Sequence, residues 1–299
     1  MSELTQQFKQ FAAEHGAALV GIAPPERFAD WPAEHSPMSI APEARAVVAI
    51  GLRITRGTLR GNEEGTNFNT YGVFGYAWLD SDFVSLTTFE CAEYLEDNGW
   101  EAAPLFPFPP EAYPQGIAVR KGAPAPNVYP DFARVAVACG LGEIGINGDL
   151  LTPRFGPRQR IQLILTDAPL DPDPLCEEKV CRECLACAES CPLDAVSTTE
   201  FEELTIAGKT MRVAKIDYAK CRVCQNGACP NKYHAAGRPD RLGAICNRTC
   251  VDALEARGAV ENAFENPFRV RQPWGIDATG QLVDVPVKPM AEQLGKERE

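Results

Sequence analysis

Ten of the twelve cysteines in this 299-residue chain fall between Cys176 and Cys250. Only Cys91 and Cys139 lie outside that segment. A disulfide framework spreads its cysteines over a small secreted domain, whereas a dense local set is typical of a metal site. The cysteine-rich segment is therefore the feature that most constrains the fold, and it predicts thiolate ligands held close together.

The first part of this segment spaces its cysteines regularly. The run Cys181-x2-Cys184-x2-Cys187-x3-Cys191-Pro192 has the spacing of bacterial ferredoxins, in which the fourth cysteine ligates a second [4Fe–4S] cluster. Zinc is the alternative. Zinc sites typically pair two CxxC knuckles and do not use a third evenly spaced cysteine or a terminal Cys-Pro. The spacing favours two [4Fe–4S] clusters over zinc.

Two clusters need four more thiolates from downstream, where five cysteines are available. The stretch Cys221-x2-Cys224-x4-Cys229 is an imperfect second copy of the run. Cys246 and Cys250 stand four residues apart on a predicted helix, so they share one face, either as small core residues or as ligands. The spacing leaves open which of Cys229, Cys246 and Cys250 is not a ligand. The predicted metal ligands are Cys181, Cys184, Cys187, Cys191, Cys221, Cys224 and two of Cys229, Cys246 and Cys250, with Cys91, Cys139 and Cys176 spare.

The rest of the chain alternates apolar elements with proline-rich stretches. A proline-dense stretch over 104–130 is predicted to be irregular and to form a lid or binding wall. Alternating Asp and Pro over 167–175 predict a linker. Hydrophobic periodicity predicts helices over 4–13, 83–98 and 240–257, buried strands over 17–23, 46–52, 133–138 and 160–166, and a glycine-rich loop over 56–76.

These elements predict an α+β or α/β fold class with two domains. A mixed α/β domain is expected over 1–170 and a bacterial-ferredoxin-like domain with two clusters over 171–260, followed by a wrapping tail over 261–299. The net charge of -12, with no block of Lys and Arg, argues against a nucleic-acid surface. No signal peptide or long apolar run is present, so we expect a cytoplasmic protein without a membrane partner.

One glycine motif looks like a dinucleotide-binding fingerprint. Gly140-x-Gly142-x-x-Gly145 follows an apparent strand, as GxGxxG does in Rossmann folds. That fingerprint also places a helix N-terminus at the pyrophosphate, yet Gly148 and Pro153 leave no room for an uninterrupted helix. We therefore do not predict NAD binding.

Several motifs occur in a fixed order along the chain. They are CGLGEIGINGDLLTPRFGPRQRIQLILTDAPL at 139–170, the ferredoxin run, and DYAKCRVCQNGACPN at 217–231. Together with the openings HGAALVGIAPPERF and PEARAVVAIGL, they resemble the epoxyqueuosine reductases and, more distantly, the reductive dehalogenases. The resemblance covers most of residues 1–250. It implies a base-off cobalamin held by the first domain against two [4Fe–4S] clusters, with electrons passed to cobalt for a reductive cleavage.

The resemblance also implies residues that contact the corrinoid. Gly140, Gly142 and Gly145 are expected to let the backbone approach the flat macrocycle, since a residue without a side chain allows close contact. A tight turn between strands is the alternative for these glycines.

The proton donor is the second role that the resemblance implies. Epoxyqueuosine reductases carry an acidic catalytic residue ahead of the GLG turn, and here Asp131 is shifted from that place. Tyr129 is the other catalytic candidate, because a tyrosine serves this role in reductive dehalogenases. Tyr71 and Tyr76 are further candidates, and packing is the alternative for each aromatic ring.

Together these features predict an iron–sulfur oxidoreductase, an enzyme that acts on a small molecule. An external low-potential donor of the ferredoxin or flavodoxin type would supply its electrons. A ferredoxin-type electron-transfer protein, or a corrinoid-reducing partner without bound corrinoid, is the alternative function. The acidic composition argues against tRNA as substrate. Arg154, Arg158 and Arg160 form one small basic cluster, for which a solvated turn is the alternative.

Overall fold

The computed structural model describes residues 1–112 and 116–285. The α-helices are α1 (Glu3–Glu14), α2 (Arg60–Glu64), α3 (Phe68–Thr70), α4 (Val84–Asp97), α5 (Phe132–Ala138), α6 (Ala186–Glu189), α7 (Tyr218–Arg222) and α8 (Ile245–Ala256). The strands are β1 (Leu19–Ala23), β2 (Ala46–Arg53), β3 (Ala102–Leu105), β4 (Glu143–Ile144), β5 (Leu150–Leu151), β6 (Gln159–Thr166), β7 (Val196–Ile206), β8 (Lys209–Ile216), β9 (Gly275–Ile276) and β10 (Leu282–Val283).

The central sheet is antiparallel, with strand order β1-β2-β6-β3. Successive side chains of a strand point to opposite faces, and β2 is apolar on both. Val47 and Ala49 belong to one buried cluster, and Val48 and Ile50 to another. The prediction that the apolar run over 46–52 is a strand covered on both faces is confirmed.

Helices α1 and α4 cover one face of the sheet. Ser2 caps α1, because its hydroxyl oxygen accepts the backbone N–H of Thr5 (3.3 Å). Phe8 of α1 and Leu95 of α4 are fully buried in the cluster that also contains Val48. The predicted helices over 4–13 and 83–98 are therefore confirmed to within a residue or two at their ends.

Helix α5 and the hairpin of β7 and β8 pack against the other face. Val135 of α5 and Met211 of β8 lie in the same buried cluster as Val47. The predicted strand over 133–138 is wrong, since these residues form α5. A short apolar run can be a buried strand or a buried helix, and here the Asp131 carboxylate caps the run and starts a helix.

The predicted loop over 56–76 is also wrong, because helical turns occupy most of it. A 3-10 turn (Arg56–Leu59) leads into α2 and α3, and π-helical segments over Tyr71–Ala77 and Leu79–Phe83 continue into α4. A Cβ at Gly75 would stand only 2.4 Å from the Tyr71 ring, so glycine is needed where the helix meets that side chain. Such π-segments occur frequently at functional sites.

The cysteine-rich segment contains α6, α7, α8 and the β7/β8 hairpin. No helix or strand forms over 167–175, as predicted for a linker. The mixed α/β class is confirmed, whereas the ferredoxin-like arrangement and the domain boundaries stay predictions. In the tail, the backbone N–H of Trp274 donates to Asn226 (3.0 Å), and residues 286–299 lie outside the described part. No helix among residues 1–112 and 116–285 is long and apolar enough to cross a membrane.

Candidate functional site

Four of the predicted ligands line one small cavity. We call Cys181, Cys184, Cys187 and Cys250 the first cysteine group. Cys187 lies on α6 and Cys250 on α8, and these helices pack against each other. Burial raises the pKa of Cys250, and the neighbouring thiols of the group raise it further. Thiols from separate parts of the chain therefore converge on one point.

The glycine motif lies against this first group. The backbone N–H of Ile146 donates to Cys181 Sγ (3.4 Å), and the N–H of Cys181 donates to Glu143 Oε1 (2.6 Å). Gly142 makes the close packing here possible, because a Cβ would stand 2.0 Å from the Leu151 carbonyl oxygen. N–H donors around sulfur orient a thiolate ligand and tune the metal that it holds.

A second set of cysteines lies beside the first. The second cysteine group consists of Cys191, Cys221, Cys224 and Cys246. Burial raises the pKa of Cys246 to about 12, nearby Arg241 lowers it, and the thiols of Cys191 and Cys224 are among the neighbours that raise it. Cys187 of the first group packs in the same buried cluster as Cys246. The two groups are therefore adjacent.

Cys229 has different surroundings. Its backbone N–H and carbonyl both bond to those of Asp240 (2.8 Å each), and its side chain packs on the buried cluster that contains Tyr71. Burial raises its pKa to about 11, with Asp240 as the next cause. The structure thus brings Cys246 and Cys250 together with the other predicted ligands, whereas Cys229 lies beside Asp240 and Arg160, with Cys224 the one predicted ligand among the groups that act on its pKa. Cys91 and Cys139 are buried in the two sheet cores, and Cys176 is half-buried in the segment before the run.

Each cysteine group has an arginine nitrogen that is buried without a partner among the described residues. At the first group this nitrogen is Nε of Arg257, whose side chain lines the group's cavity. At the second group it is Nη1 of Arg241, the arginine beside Cys246. A buried N–H without an acceptor is costly. Anionic iron–sulfur clusters held by thiolates would supply acceptors at both places, so the donor set fits two clusters. Within residues 1–112 and 116–285, no three Cys, His, Asp or Glu side chains lie close enough to hold a single metal ion.

A cavity of about 460 Å³ opens on the other side of Arg241. Its volume lies within the roughly 300–1,000 Å³ of small-molecule sites. The proline-dense stretch supplies Pro107 and Phe108 to the wall, as the binding-wall prediction proposed, and the β7/β8 hairpin supplies Leu204 and Val213. Apolar walls with a few polar groups are typical of ligand sites.

A buried polar network closes one side of this cavity. Arg160 of β6 donates to Asp240 Oδ2 (2.6 Å), to the Tyr71 hydroxyl (2.9 Å) and to the carbonyl of Gly75 (3.0 Å). The Tyr71 hydroxyl donates to the other oxygen of Asp240. Burial lowers the pKa of Arg160 and Asp240 raises it, with a net upward shift, so the guanidinium stays charged. The network therefore fixes a cation in the cavity wall.

Tyr76 lies next to this network. The Arg160 guanidinium carbon stands 4.6 Å from the centre of its ring, and its hydroxyl oxygen accepts the backbone N–H of Lys232 (3.2 Å). Burial raises the pKa of Tyr76, and Asp240 raises it further, so the phenol keeps its proton at neutral pH. Tyr233, the neighbouring phenol, donates to Asp80 Oδ2 (3.0 Å) instead.

The predicted catalytic residues occupy different positions. Asp131 lines the cavity, but its Oδ1 accepts the N–H groups of Ala133 (3.1 Å) and Arg134 (3.2 Å) as the α5 cap. Tyr129 is absent from the residues that line the cavity, and its ring stands 5.2 Å from that of Phe108. Their catalytic roles stay predictions.

The three predicted glycines also lie outside the described lining of this cavity. A Cβ at Gly140, whose φ is +85°, would stand 2.2 Å from the Pro174 carbonyl oxygen, and one at Gly145 would stand 2.6 Å from Leu151 Cδ1. Both glycines face the protein itself, which fits the tight-turn alternative. Corrinoid contact by Gly140, Gly142 and Gly145 stays a prediction.

Sequence reasoning missed the central part of the network. The solvated-turn alternative for the basic cluster is wrong for Arg160, which is largely buried, and for Arg158, whose exposed fraction is 2%. Three arginines on one short stretch are a sequence signal, and their pairing with carboxylates could have been predicted from it. Asp240 carries no sequence signal, because its partners Tyr71 and Arg160 are far away along the chain.

Known proteins share parts of this sequence and this fold. No family model matches the chain. A tetrachloroethene reductive dehalogenase of Desulfitobacterium hafniense is 33% identical over 149 residues, which make up 47% of this chain and 27% of the relative. The protein of that name from Sulfurospirillum multivorans is 33% identical over 104 residues, 33% of this chain and 21% of the relative. The chain thus spans about a quarter of the length of these relatives.

Solved structures align with parts of this fold. A reductive dehalogenase structure, described as suggesting a mechanism for B12-dependent dehalogenation, aligns with a TM-score of 0.52 at 19% identity, covering 86% of this chain and 32% of the other. An epoxyqueuosine reductase aligns with a TM-score of 0.45 at 16% identity over 64% of this chain and 53% of the other. The predicted resemblance to reductive dehalogenases is confirmed over part of the chain: it is similar in sequence to the tetrachloroethene reductive dehalogenases and shares the fold of a reductive dehalogenase structure.

Proposed function

We propose that this protein is an iron–sulfur reductase that uses a base-off corrinoid to cleave a small, uncharged molecule reductively. The observation that carries this proposal is the order of its parts. Two adjacent cysteine groups lead to a cavity, and Arg241 lies between the second group and that cavity. Relatives described as reductive dehalogenases, one of them with a B12-dependent mechanism, support the same reading.

The two cysteine groups would each hold one [4Fe–4S] cluster. The first group takes Cys250 from α8 as its fourth ligand, and the second takes Cys191 from the first run, so the first run lends one ligand to the other cluster. Sulfur-directed N–H groups support this assignment, with Ile146 donating to Cys181 and Ala195 to Cys191 (3.3 Å).

The cavity would hold the substrate, and its walls would pack against the corrinoid. Its wall combines proline, phenylalanine and leucine side chains, which suit a flat macrocycle, and its described lining contains no histidine, as a base-off corrinoid requires none. When bound, the corrinoid supplies a low-valent cobalt that delivers electrons to the substrate bond. Overall, the substrate takes up two electrons and one proton, and its leaving group departs with the electron pair of the broken bond.

Tyr76 would supply the proton. Tyr71 and Tyr233 both donate their hydroxyl hydrogens to carboxylates, whereas the Tyr76 oxygen accepts the Lys232 N–H and leaves its own hydrogen for the cavity. After the proton leaves, the same N–H and the guanidinium of Arg160 stabilise the phenolate. This assignment replaces Tyr129 by a residue that lines the cavity.

The charges of the cavity indicate an uncharged substrate. Each cation in the described lining already has a carboxylate partner, so a phosphate or carboxylate ligand would meet no free cation. A nucleic-acid backbone would be repelled for the same reason. The pairs are Arg160 with Asp240 (2.6 Å), Arg238 with Glu111 (2.7 Å), Lys215 with Glu200 (2.8 Å), Arg241 with Asp149 (2.9 Å) and Arg134 with Asp131 (3.4 Å).

The test is anaerobic purification, cluster reconstitution and titration with cobalamin. We expect about eight irons per chain and a stoichiometric base-off corrinoid absorbance. Eight irons without corrinoid binding would support the electron-transfer alternative and overturn the corrinoid part of the proposal. Colourless protein that carries zinc would overturn it entirely. Candidate substrates are then screened with a chemical reductant, comparing uncharged halogenated or epoxide compounds with their carboxylated analogues.

A further inference from the structure

Arg241 is the residue that joins the second cysteine group to the cavity. Its side chain is 3% exposed, and Nη2 donates to the Asn147 carbonyl (2.7 Å) and to Asp149 Oδ2 (2.9 Å). The Tyr218 ring packs near the guanidinium, with 5.5 Å between the guanidinium carbon and the ring centre. These contacts hold the guanidinium in one place.

The opposite side of the same guanidinium has no partner. Nη1 is buried and makes no hydrogen bond to any described residue. The charge of Arg241 acts on the thiols of Cys221 and Cys246 in the second group, and also on that of Cys187 in the first. A buried donor that is left unpaired costs about 1–3 kcal/mol, so its fixed position beside the thiols indicates an acceptor that arrives with the second cluster.

We propose that Arg241 donates to the second cluster through Nη1 and raises that cluster's reduction potential. This inference rests on the proposed function, because it requires both clusters. A cation fixed next to a cluster stabilises its reduced form, which carries one more negative charge. Arg241 therefore acts as a positioning residue for electron transfer at the cluster nearer the cavity.

Asp149 sets the balance of this effect. It pairs with Arg241 through one oxygen, which also accepts the Asn247 side-chain N–H (2.8 Å). Its negative charge therefore offsets part of the guanidinium charge at the cluster. Asp149→Asn should accordingly move the same potential upward.

The test is an EPR-monitored redox titration of the reconstituted protein with Arg241→Gln, Arg241→Lys and Arg238→Gln. Arg238 is the matched control, because it lines the same cavity and packs on the same Tyr218 ring (4.7 Å) but pairs with Glu111. We expect Arg241→Gln to lower one of the two midpoint potentials and leave the other in place, Arg241→Lys to lower it less, and Arg238→Gln to change neither.

Iron content separates the possible failures. Unchanged potentials in Arg241→Gln with about eight irons would overturn the inference while leaving the proposed function intact. Equal shifts of both clusters would also overturn it. If Arg241→Gln loses iron, the titration of Arg241→Lys decides instead, because lysine keeps the positive charge. A shift of one midpoint potential in Arg241→Lys supports the inference, and unchanged midpoint potentials overturn it. Wild-type protein without two clusters would instead refute the proposed function.

Discussion

Substituting Cys250 and Cys229 tests which cysteines hold the clusters. Both are half-buried and both follow the ferredoxin run, so Cys250→Ser and Cys229→Ser are matched changes. Cys250 lies in the first cysteine group, whereas Cys229 packs near Tyr71 and bonds through its backbone to Asp240. We therefore expect only the first substitution to affect a cluster.

The expected loss of iron follows from the number of thiolate ligands that each cluster takes. A [4Fe–4S] cluster takes four thiolates, and the first group has four cysteines. Removing one converts that cluster to a form with fewer irons or eliminates it, so Cys250→Ser should lower the iron content from about eight to between about four and seven per chain. Cys229→Ser should retain about eight, because its backbone bonds to Asp240 do not involve sulfur.

The assay is iron and acid-labile sulfide analysis after anaerobic reconstitution, with EPR of the reduced protein. Cys250→Ser should remove or alter one of two signals and leave the second, and Cys246→Ser should do the converse. The reasoning is refuted if Cys229→Ser loses iron while Cys250→Ser keeps the wild-type content. In that case the second run would ligate its cluster by sequence order, and the grouping around α8 would be only core packing.

Three further predictions concern the cavity. Tyr76→Phe should lower turnover by about 10²–10⁴-fold at unchanged iron content, and Tyr129→Phe should keep wild-type turnover; equal losses in both would remove Tyr76 from the proton-donor role. Asp240→Ala leaves the buried cation of Arg160 without its carboxylate and should lower the free energy of unfolding by about 3–5 kcal/mol, measured by denaturant titration; an unchanged midpoint would show that the pair is dispensable. Burial raises the pKa of Asp80 above its ordinary 3.8, so the stability that its protonated form provides is present at low pH and is lost as the pH rises through the folded-state value. Asp80→Asn, which does not ionise, should lose less stability than wild type as the pH rises above about 4, and parallel pH profiles in thermal unfolding would contradict this.

Short sequence patterns correctly predicted the helix and strands that depend on local apolar periodicity. The buried strands over 46–52 and 160–166 and the helix over 83–98 follow from apolar periodicity, and all three are present as β2, β6 and α4. The run over 133–138 became a helix because a cap at Asp131 and packing against the sheet outweighed strand propensity. The loop over 56–76 became helical because Tyr71 packs where Gly75 and Gly243 leave room for its ring.

The candidate site likewise combines residues that sequence spacing predicts with residues that only the tertiary fold brings together. The ferredoxin run identified the cysteines of the first motif by spacing alone. The choice among Cys229, Cys246 and Cys250 depends on how α8 packs on α6, which no local spacing encodes. Likewise, Arg160 and Asp240 are 80 residues apart, and their pairing arises only from the tertiary fold.

In the proposed reductase, the placement of the two cysteine groups would give electron transfer a direction. Cys184, in the first group, is exposed, whereas each of the other seven cysteines in the two groups is buried or half-buried. The first group meets the second where Cys187 packs near Cys246, and the second reaches the cavity through Arg241. The cavity and the first group's pocket share no described lining residue. If the proposed clusters are present, an external donor protein would therefore approach the first one at Cys184, and the route from there to the cavity would pass through the second.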